Sequence, residues 1–184
     1  MITSRDSKIF KIAKIVETSV YKLKGLDLLH SKNLFYSHAF NQPNRLPEVA
    51  DLVDGFLIAC DGLPLSLKVF GALLFGEDDK CYWKDTLNRL NHILPTTEIY
   101  ERLKISYDSL SSKDQEIFLY IACFFTGKDI DTVIKICGSI GQLLNLKNKC
   151  LLELDGENKV KMHDQIRDTG GHIAEEATTR HFWH

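Results

Sequence analysis

The stretch Leu151–Ala174 reads LLELDGENKVKMHDQIRDTGGHIA, and its reading decides the fold. Leu152 and Leu154, then Val160 and Met162, alternate with polar residues on either side of Asp155, Gly156, Glu157 and Asn158. Such alternation puts one face of an extended segment on a core, and a short polar, glycine-bearing connection turns the chain back, so a β-hairpin is expected. From Met162, His163 and Asp164 onward, Gln165, Ile166, Arg167 and Asp168 open an amphipathic helix that runs to Ala174.

Upstream of the hairpin, Ser112 and Gln115 make a capping-box pattern before Ile117, Phe118, Ile121, Ala122 and Phe125, and a helix is expected to start at Ser112. A helix, a hairpin and a final helix suggest a winged-helix-like module. The segment Asp131 to Leu146 is short for its place, which implies a clipped helix there. Earlier still, Val49, Leu52, Val53, Phe56 and Cys60 fall at helical spacing, and Gly62 offers a stop. Pro64 to Phe75 is apolar nearly all round, as a helix can be only when neighbours cover it. Trp83, Leu87 and Leu90 suggest a further helix, and Ile99, Leu103 and Tyr107 another. These four helices form a bundle centred on Pro64–Phe75, with a boundary near Tyr107 to Ser111 and with Trp83 and Phe118 anchoring the two cores. Met1 to Thr3 and Thr18 to Leu23 read as stubs of strands. The expected fold is mainly α: a helical bundle followed by a winged-helix-like subdomain with a small β-hairpin.

Composition excludes several classes. The 184 residues are 44% hydrophobic and 26% charged, with a formal net charge of -2, so nothing in the bulk charge draws in nucleic acid or a membrane surface. No apolar run reaches the roughly 18 residues a membrane span requires, and no secretory leader follows Met1. Cys60, Cys81, Cys123, Cys137 and Cys150 are odd in number and scattered, with no CxxC pair, which suits reduced, core-packed thiols. A cytoplasmic or nucleocytoplasmic chain is expected.

No catalytic constellation is legible, and no enzyme is expected. Gly127 and Lys128 are adjacent, but Asp129 stands where a phosphate-binding loop needs Ser or Thr, and Ala122 stands where it needs Gly. His30 and His38 are too far apart to share a metal ion without further ligands, and no serine elbow occurs. The paired carboxylates Asp78, Asp79, Glu175 and Glu176 read as solvated. Gly62, Leu63, Pro64 and Leu65 read most simply as helix stop, turn and proline-led helix start. His163 reads as a surface or capping histidine, and Arg5 as a solvated charge.

Taken in order, Thr3-Ser4-Arg5, Gly62-Leu63-Pro64-Leu65 and Met162-His163-Asp164 resemble the TSR, GLPL and MHD elements of the NB-ARC switch domain of plant disease-resistance proteins. Leu103–Phe125 resembles the subclass that carries an N-terminal Toll/interleukin-receptor domain, and NLFYSHAF, Asn33–Phe40, is similar to a further conserved block. The resemblance implies a remnant of the nucleotide-binding subdomain over 1–24, a helical bundle over 25–108, a winged-helix-like subdomain over 109–178 and an unmatched tail over 179–184. It implies that Pro64 packs on the adenine side of a nucleotide, that His163 reaches the β-phosphate of ADP, and that Arg5 reads the terminal phosphate of ATP. Gly62, Leu63, Leu65, Met162 and Asp164 would support the switch, Asp164 as cap or orienting acid of its helix. Ser66 replaces the usual alanine, and Gly171 a residue usually basic. In the intact receptor the resemblance implies ADP or ATP with Mg and the other receptor parts, nucleotide-binding subdomain and leucine-rich repeats, as partners. For this chain alone it implies no cofactor, no nucleic acid and no membrane. The competing readings are a winged-helix DNA-binding regulator and a non-functional truncated receptor fragment.

Overall fold

The computed structural model describes residues 9, 12–13, 21, 23–40, 49–93, 99–138 and 140–181. Among them are five helices before residue 111: α1 (Leu28–Ala39), α2 (Ala50–Cys60), α3 (Pro64–Leu73), α4 (Lys80–Asn91) and α5 (Ile99–Asp108). Beyond it come α6 (Ser112–Tyr120), a π-helical turn (Ile121–Phe125), α7 (Ile130–Cys137), α8 (Ile140–Asn148), strands β1 (Glu153–Leu154) and β2 (Val160–Lys161), and α9 (Asp164–His181). The mainly α fold with a small antiparallel hairpin is therefore present. The strand stub at Met1–Thr3 lies outside the described residues, as does most of Thr18–Leu23.

The bundle holds one helix more than the sequence periodicity implied. Helix α1 has the weak amphipathic pattern LLHSKNLFYSHA, burying only Ser31, Phe35 and Ala39, so its apolar face is narrow and hard to read. Its start is set by Asp27, whose carboxylate accepts from the His30 N–H at 2.8 Å. Phe35, Phe56 and Trp83 meet with ring centroids 5.8–6.4 Å apart, and Phe70 packs on Phe56 at 6.1 Å. The Trp83 indole N–H donates to the Glu77 carbonyl at 2.9 Å, so its one polar group is satisfied inside the core. Trp83 is 0% exposed and Phe118 1% exposed, in separate cores, as expected.

Two helices serve both cores. Helix α3 gives Leu67, Phe70 and Leu73 to the bundle, followed by Leu74 at its C-cap, but turns Val69 to the other side. Helix α5 likewise places Ile105 in the bundle and Leu103 and Tyr107 in the second core. Pro64–Phe75 is thus not only the centre of a first bundle but part of a shared wall.

In the second half the start of α6 differs by one residue from the expected cap. Ser111, not Ser112, is the cap, and Asp114 takes the part expected of Gln115: the Asp114 N–H donates to Ser111 Oγ at 3.2 Å while Ser111 Oγ–H donates to Asp114 Oδ2 at 2.7 Å. The offset has a packing reason, because Asp114 is buried and also accepts from Asn145 Nδ2 of α8 at 3.0 Å. The helix expected to run through Phe125 widens at Ile121, where the Thr126 N–H reaches back to the Ile121 carbonyl at 3.1 Å. Widening keeps Ile121 and Ala122 in the core while Cys123 and Phe124 face outward.

Asp131–Leu146 holds two short helices, α7 apart from Ile130 and most of α8, with the left-handed Gly138 ending the first. The hairpin pairs Leu154 with Val160 and Glu153 with Lys161. Asp155 holds its loop by accepting from the Glu157 and Lys159 N–H groups, each at 2.9 Å. Residues 127–129 flank β2 as a third, partial rung, with the Gly127 N–H on the Val160 carbonyl at 2.7 Å. The would-be phosphate loop at Gly127–Asp129 is therefore sheet-edge backbone.

Three smaller expectations are corrected. Cys81 and Cys123 are exposed, so the thiols are not uniformly core-packed, whereas burial pushes the Cys60 thiol up to about 12. Asp79 is an N-cap and not merely solvated, accepting from the Cys81 N–H at 2.8 Å. Glu176 accepts from the Tyr100 hydroxyl at 2.8 Å, tying α9 to α5.

Candidate functional site

The first turns of helices α3 and α9 contribute to the lining of one cleft. The turn before α3 has two residues in the left-handed region, Asp61 (φ 50°) and Gly62 (φ 66°). A Cβ at Gly62 would come within 2.4 Å of the Leu26 carbonyl, and the Gly62 carbonyl accepts from the Leu26 N–H at 2.8 Å. Only glycine fits a turn that must both reverse and touch a neighbouring backbone. From there Leu63 caps and Pro64 opens α3, its missing N–H costing nothing in the first turn.

The Met162 side chain is buried in the second core and fixes the end of the hairpin, so the next residue, His163, emerges at the head of α9. Its Nδ1 accepts from the Gln165 N–H at 3.2 Å, and its carbonyl accepts from the Ile166 and Arg167 N–H groups. The cap of α9 is therefore His163 itself and not Asp164, which lies inside the first turn and pairs with Arg167 at 3.2 Å. A ring nitrogen that accepts carries no hydrogen, so the neutral ring holds its proton on Nε2. That leaves an N–H donor on the side of the ring away from the backbone.

Pro64 and His163, distant in sequence, line one cleft of about 230 Å³ together with Leu65, Lys68, Cys150, Leu151, Leu152, Glu153 and Ile166. Its walls are mostly aliphatic, and its titratable lining residues are Lys68, Cys150, Glu153 and His163. At its back, Cys150 (φ 56°) brings Sγ to 3.6 Å from His38 Nδ1 of α1. Burial and then the Lys68 charge hold the His38 imidazole below its ordinary value, while burial raises the Cys150 thiol.

Of the sequence-predicted site residues, Pro64, Leu65 and His163 share the cleft; Gly62, Leu63, Met162 and Asp164 shape its two helix heads. Arg5, with Thr3 and Ser4, lies outside the described residues. Lys68 and Cys150 were missed. Lys68 could have been found by counting one turn along α3 from Pro64, but Cys150 reaches the cleft only through a left-handed turn that no local pattern announces. At the head of α9, Arg167 is paired to Asp164 and lies 3.9 Å from Asp168.

Comparison with known proteins matches residues 111–178 to the family described as "Disease resistance protein Roq1-like, winged-helix domain". Across the chain, the disease resistance protein RUN1 of Vitis rotundifolia is 36% identical over 182 residues, covering 96% of this chain and 13% of RUN1. The TMV resistance protein N of Nicotiana glutinosa is 36% identical over 180 residues, 94% of this chain and 15% of that protein. The disease resistance-like protein DSC1 of Arabidopsis thaliana is 34% identical over 179 residues, 95% and 14% respectively. The chain thus spans only about one-seventh of the length of these relatives. Residues 111–178 thus form a winged-helix domain of the Roq1-like disease-resistance type, and the chain as a whole is similar to one segment of these plant disease resistance proteins.

Proposed function

We propose that this chain is part of the nucleotide-dependent switch of an intracellular plant immune receptor, acting as a binding and coupling module, not as an enzyme. The observation that carries the reading is the single cleft lined by Pro64 and His163. An adenine nucleotide fits the residues present in part: Pro64, Leu65 and Ile166 offer an apolar face, and His163 Nε2–H offers a donor. At about 230 Å³ the cleft is smaller than the roughly 300–1,000 Å³ of sites that enclose a whole small molecule, so the remaining walls would come from the rest of the receptor. For the magnesium ion the fit fails, because no cluster of three potential metal ligands occurs among the described residues.

The chemistry of a bound nucleotide is to bridge subdomains with its base and phosphates. Pro64 would hold the base side against α3, while His163 would donate to a phosphate from α9. A contact made in only one arrangement of the receptor favours that arrangement by its differential affinity, so His163 biases the population toward the closed state. Loss of one such polar contact is worth roughly 1–3 kcal/mol, a shift of about five- to hundredfold.

The test is an intact receptor carrying this segment. His163→Ala should raise signalling without pathogen and lower the ADP recovered with the purified protein. Asp164→Val should act in the same direction, because it removes the Arg167 partner and the acid from the first turn of α9. Wild-type output and ADP content in both folded variants would overturn the reading and leave His163 as a helix cap only.

A further inference from the structure

Arg102 lies on α5 with only 8% of its surface exposed, and its Nη1 has no hydrogen-bond partner among the described residues. Among those residues no carboxylate pairs with it, whereas Arg89 meets Asp108 at 3.4 Å and Arg167 meets Asp164 at 3.2 Å. The usual remedies for an enclosed base are closed. A buried lysine or histidine sheds its proton, but a guanidinium stays charged. Cys60 at the end of α2 feels that charge, yet burial outweighs it and pushes the thiol up to about 12, so the sulfur is neutral and no counter-ion. Ser106, one turn along the same face of α5, has a fully enclosed hydroxyl that also lacks a partner among the described residues, so it does not accept from the guanidinium either. Arg102 does not line the cleft of Pro64 and His163, so no ligand of that cleft supplies the missing charge. An enclosed charge left uncompensated is among the costliest defects a folded chain can carry, and an anion bonded to the guanidinium removes it.

We propose that Arg102 binds a small monovalent inorganic anion of the chloride class, held between α5 and the end of α2 as part of the folded structure. One fixed positive charge calls for one negative charge, and near-complete enclosure calls for an ion of few atoms. The planar fork of N–H donors grips it, with Nη1 on the enclosed side. Leu103 and Ile105, close by on α5, serve the second core and the bundle respectively, so the ion sits where the two cores meet. Its occupancy stabilises the fold and needs no nucleotide.

The experiment is urea unfolding of the whole chain at fixed pH and ionic strength, with sodium chloride exchanged stepwise for sodium gluconate, whose anion is too large for the site. For the wild type, each tenfold rise in chloride above its dissociation constant should raise the folding equilibrium constant by up to about tenfold. Arg102→Met removes the charge that needs neutralising, so it should be at least as stable as the wild type in gluconate and should lose the chloride dependence. Arg102→Lys, which keeps the charge, should keep a weaker dependence. Chloride-35 NMR line broadening by the folded protein gives a second readout, present in the wild type and absent in Arg102→Met. Equal wild-type stability in chloride and gluconate, or no line broadening, would overturn the site. A chloride dependence that survives in Arg102→Met belongs to another group and overturns it too. Glu98 stands four residues before Arg102 in the sequence. A loss of stability in Glu98→Gln, without any chloride effect in the wild type, would make a carboxylate of this chain the counter-ion in place of the inorganic one.

Discussion

Ser66 carries a fully enclosed hydroxyl with no hydrogen-bond partner among the described residues, and Ser106 on the facing helix is in the same state. An unsatisfied buried hydroxyl costs about 1–3 kcal/mol relative to a bonded one, whereas alanine in the same helical position carries no such penalty. Ser66→Ala should therefore stabilise the protein by about 1 kcal/mol, read as a rise in denaturant midpoint at unchanged slope. His38 makes the pH dependence. Burial and Lys68 depress its folded pKa below the ordinary 6.5, so above that value both folded and unfolded states are neutral and the residue contributes nothing. As pH falls through the unfolded value, the unfolded chain takes the proton first and stability drops. Melting temperature should fall between about pH 7 and about pH 5.5, and His38→Gln should flatten that part of the curve. An equal slope in the variant would assign the loss to another group.

Among the elements, α9 offers the sharpest contrast. A Cβ at Gly170 would lie 2.5 Å from the Ala122 Cβ and 3.3 Å from the Phe118 ring, while one at Gly171 would meet nothing within 4 Å. Gly170→Ala should cost about 1–3 kcal/mol by forcing α9 off the π-helical turn, and Gly171→Ala should gain about 0.5–1 kcal/mol from helix propensity alone. Chemical denaturation of the two variants checks both signs at once. The same helix shows what sequence could and could not tell. Period-two alternation around Asp155–Asn158 gave the hairpin because its buried face is strictly alternating, and helical spacing gave α2, α4 and α5. Helix α1 was invisible as a helix, since only three of its residues are buried. Helices α7 and α8 escaped because each is short, and the proton-bearing side of His163 could be assigned only from its bond to Gln165. The cleft itself was legible only as two motifs; their meeting depends on how α3 and α9 pack, which no local pattern encodes.

At the scale of the whole molecule, α3 and α5 join the two cores into one contact network. Trp83→Ala and Phe118→Ala should each cost about 3–5 kcal/mol, since both remove fully enclosed aromatic rings. Because the cores share walls, each variant should lower one common unfolding transition, not split off a separate one. Calorimetry with two resolved transitions in either variant would show that the halves unfold independently; near-native melting of both would refute their role as anchors. The shared walls also govern how such receptors can be recombined. A chimera that takes its bundle from one relative and its winged half from another has to be joined somewhere, and a junction at residue 108 looks natural because it falls between helices. Yet that cut separates Leu103 and Tyr107 from the core they fill, while a cut before α5 separates Ile105 from the bundle. Whichever parent donates α5, one core receives a foreign face, so viable exchanges should be confined to parents alike at Val69, Leu103, Ile105 and Tyr107.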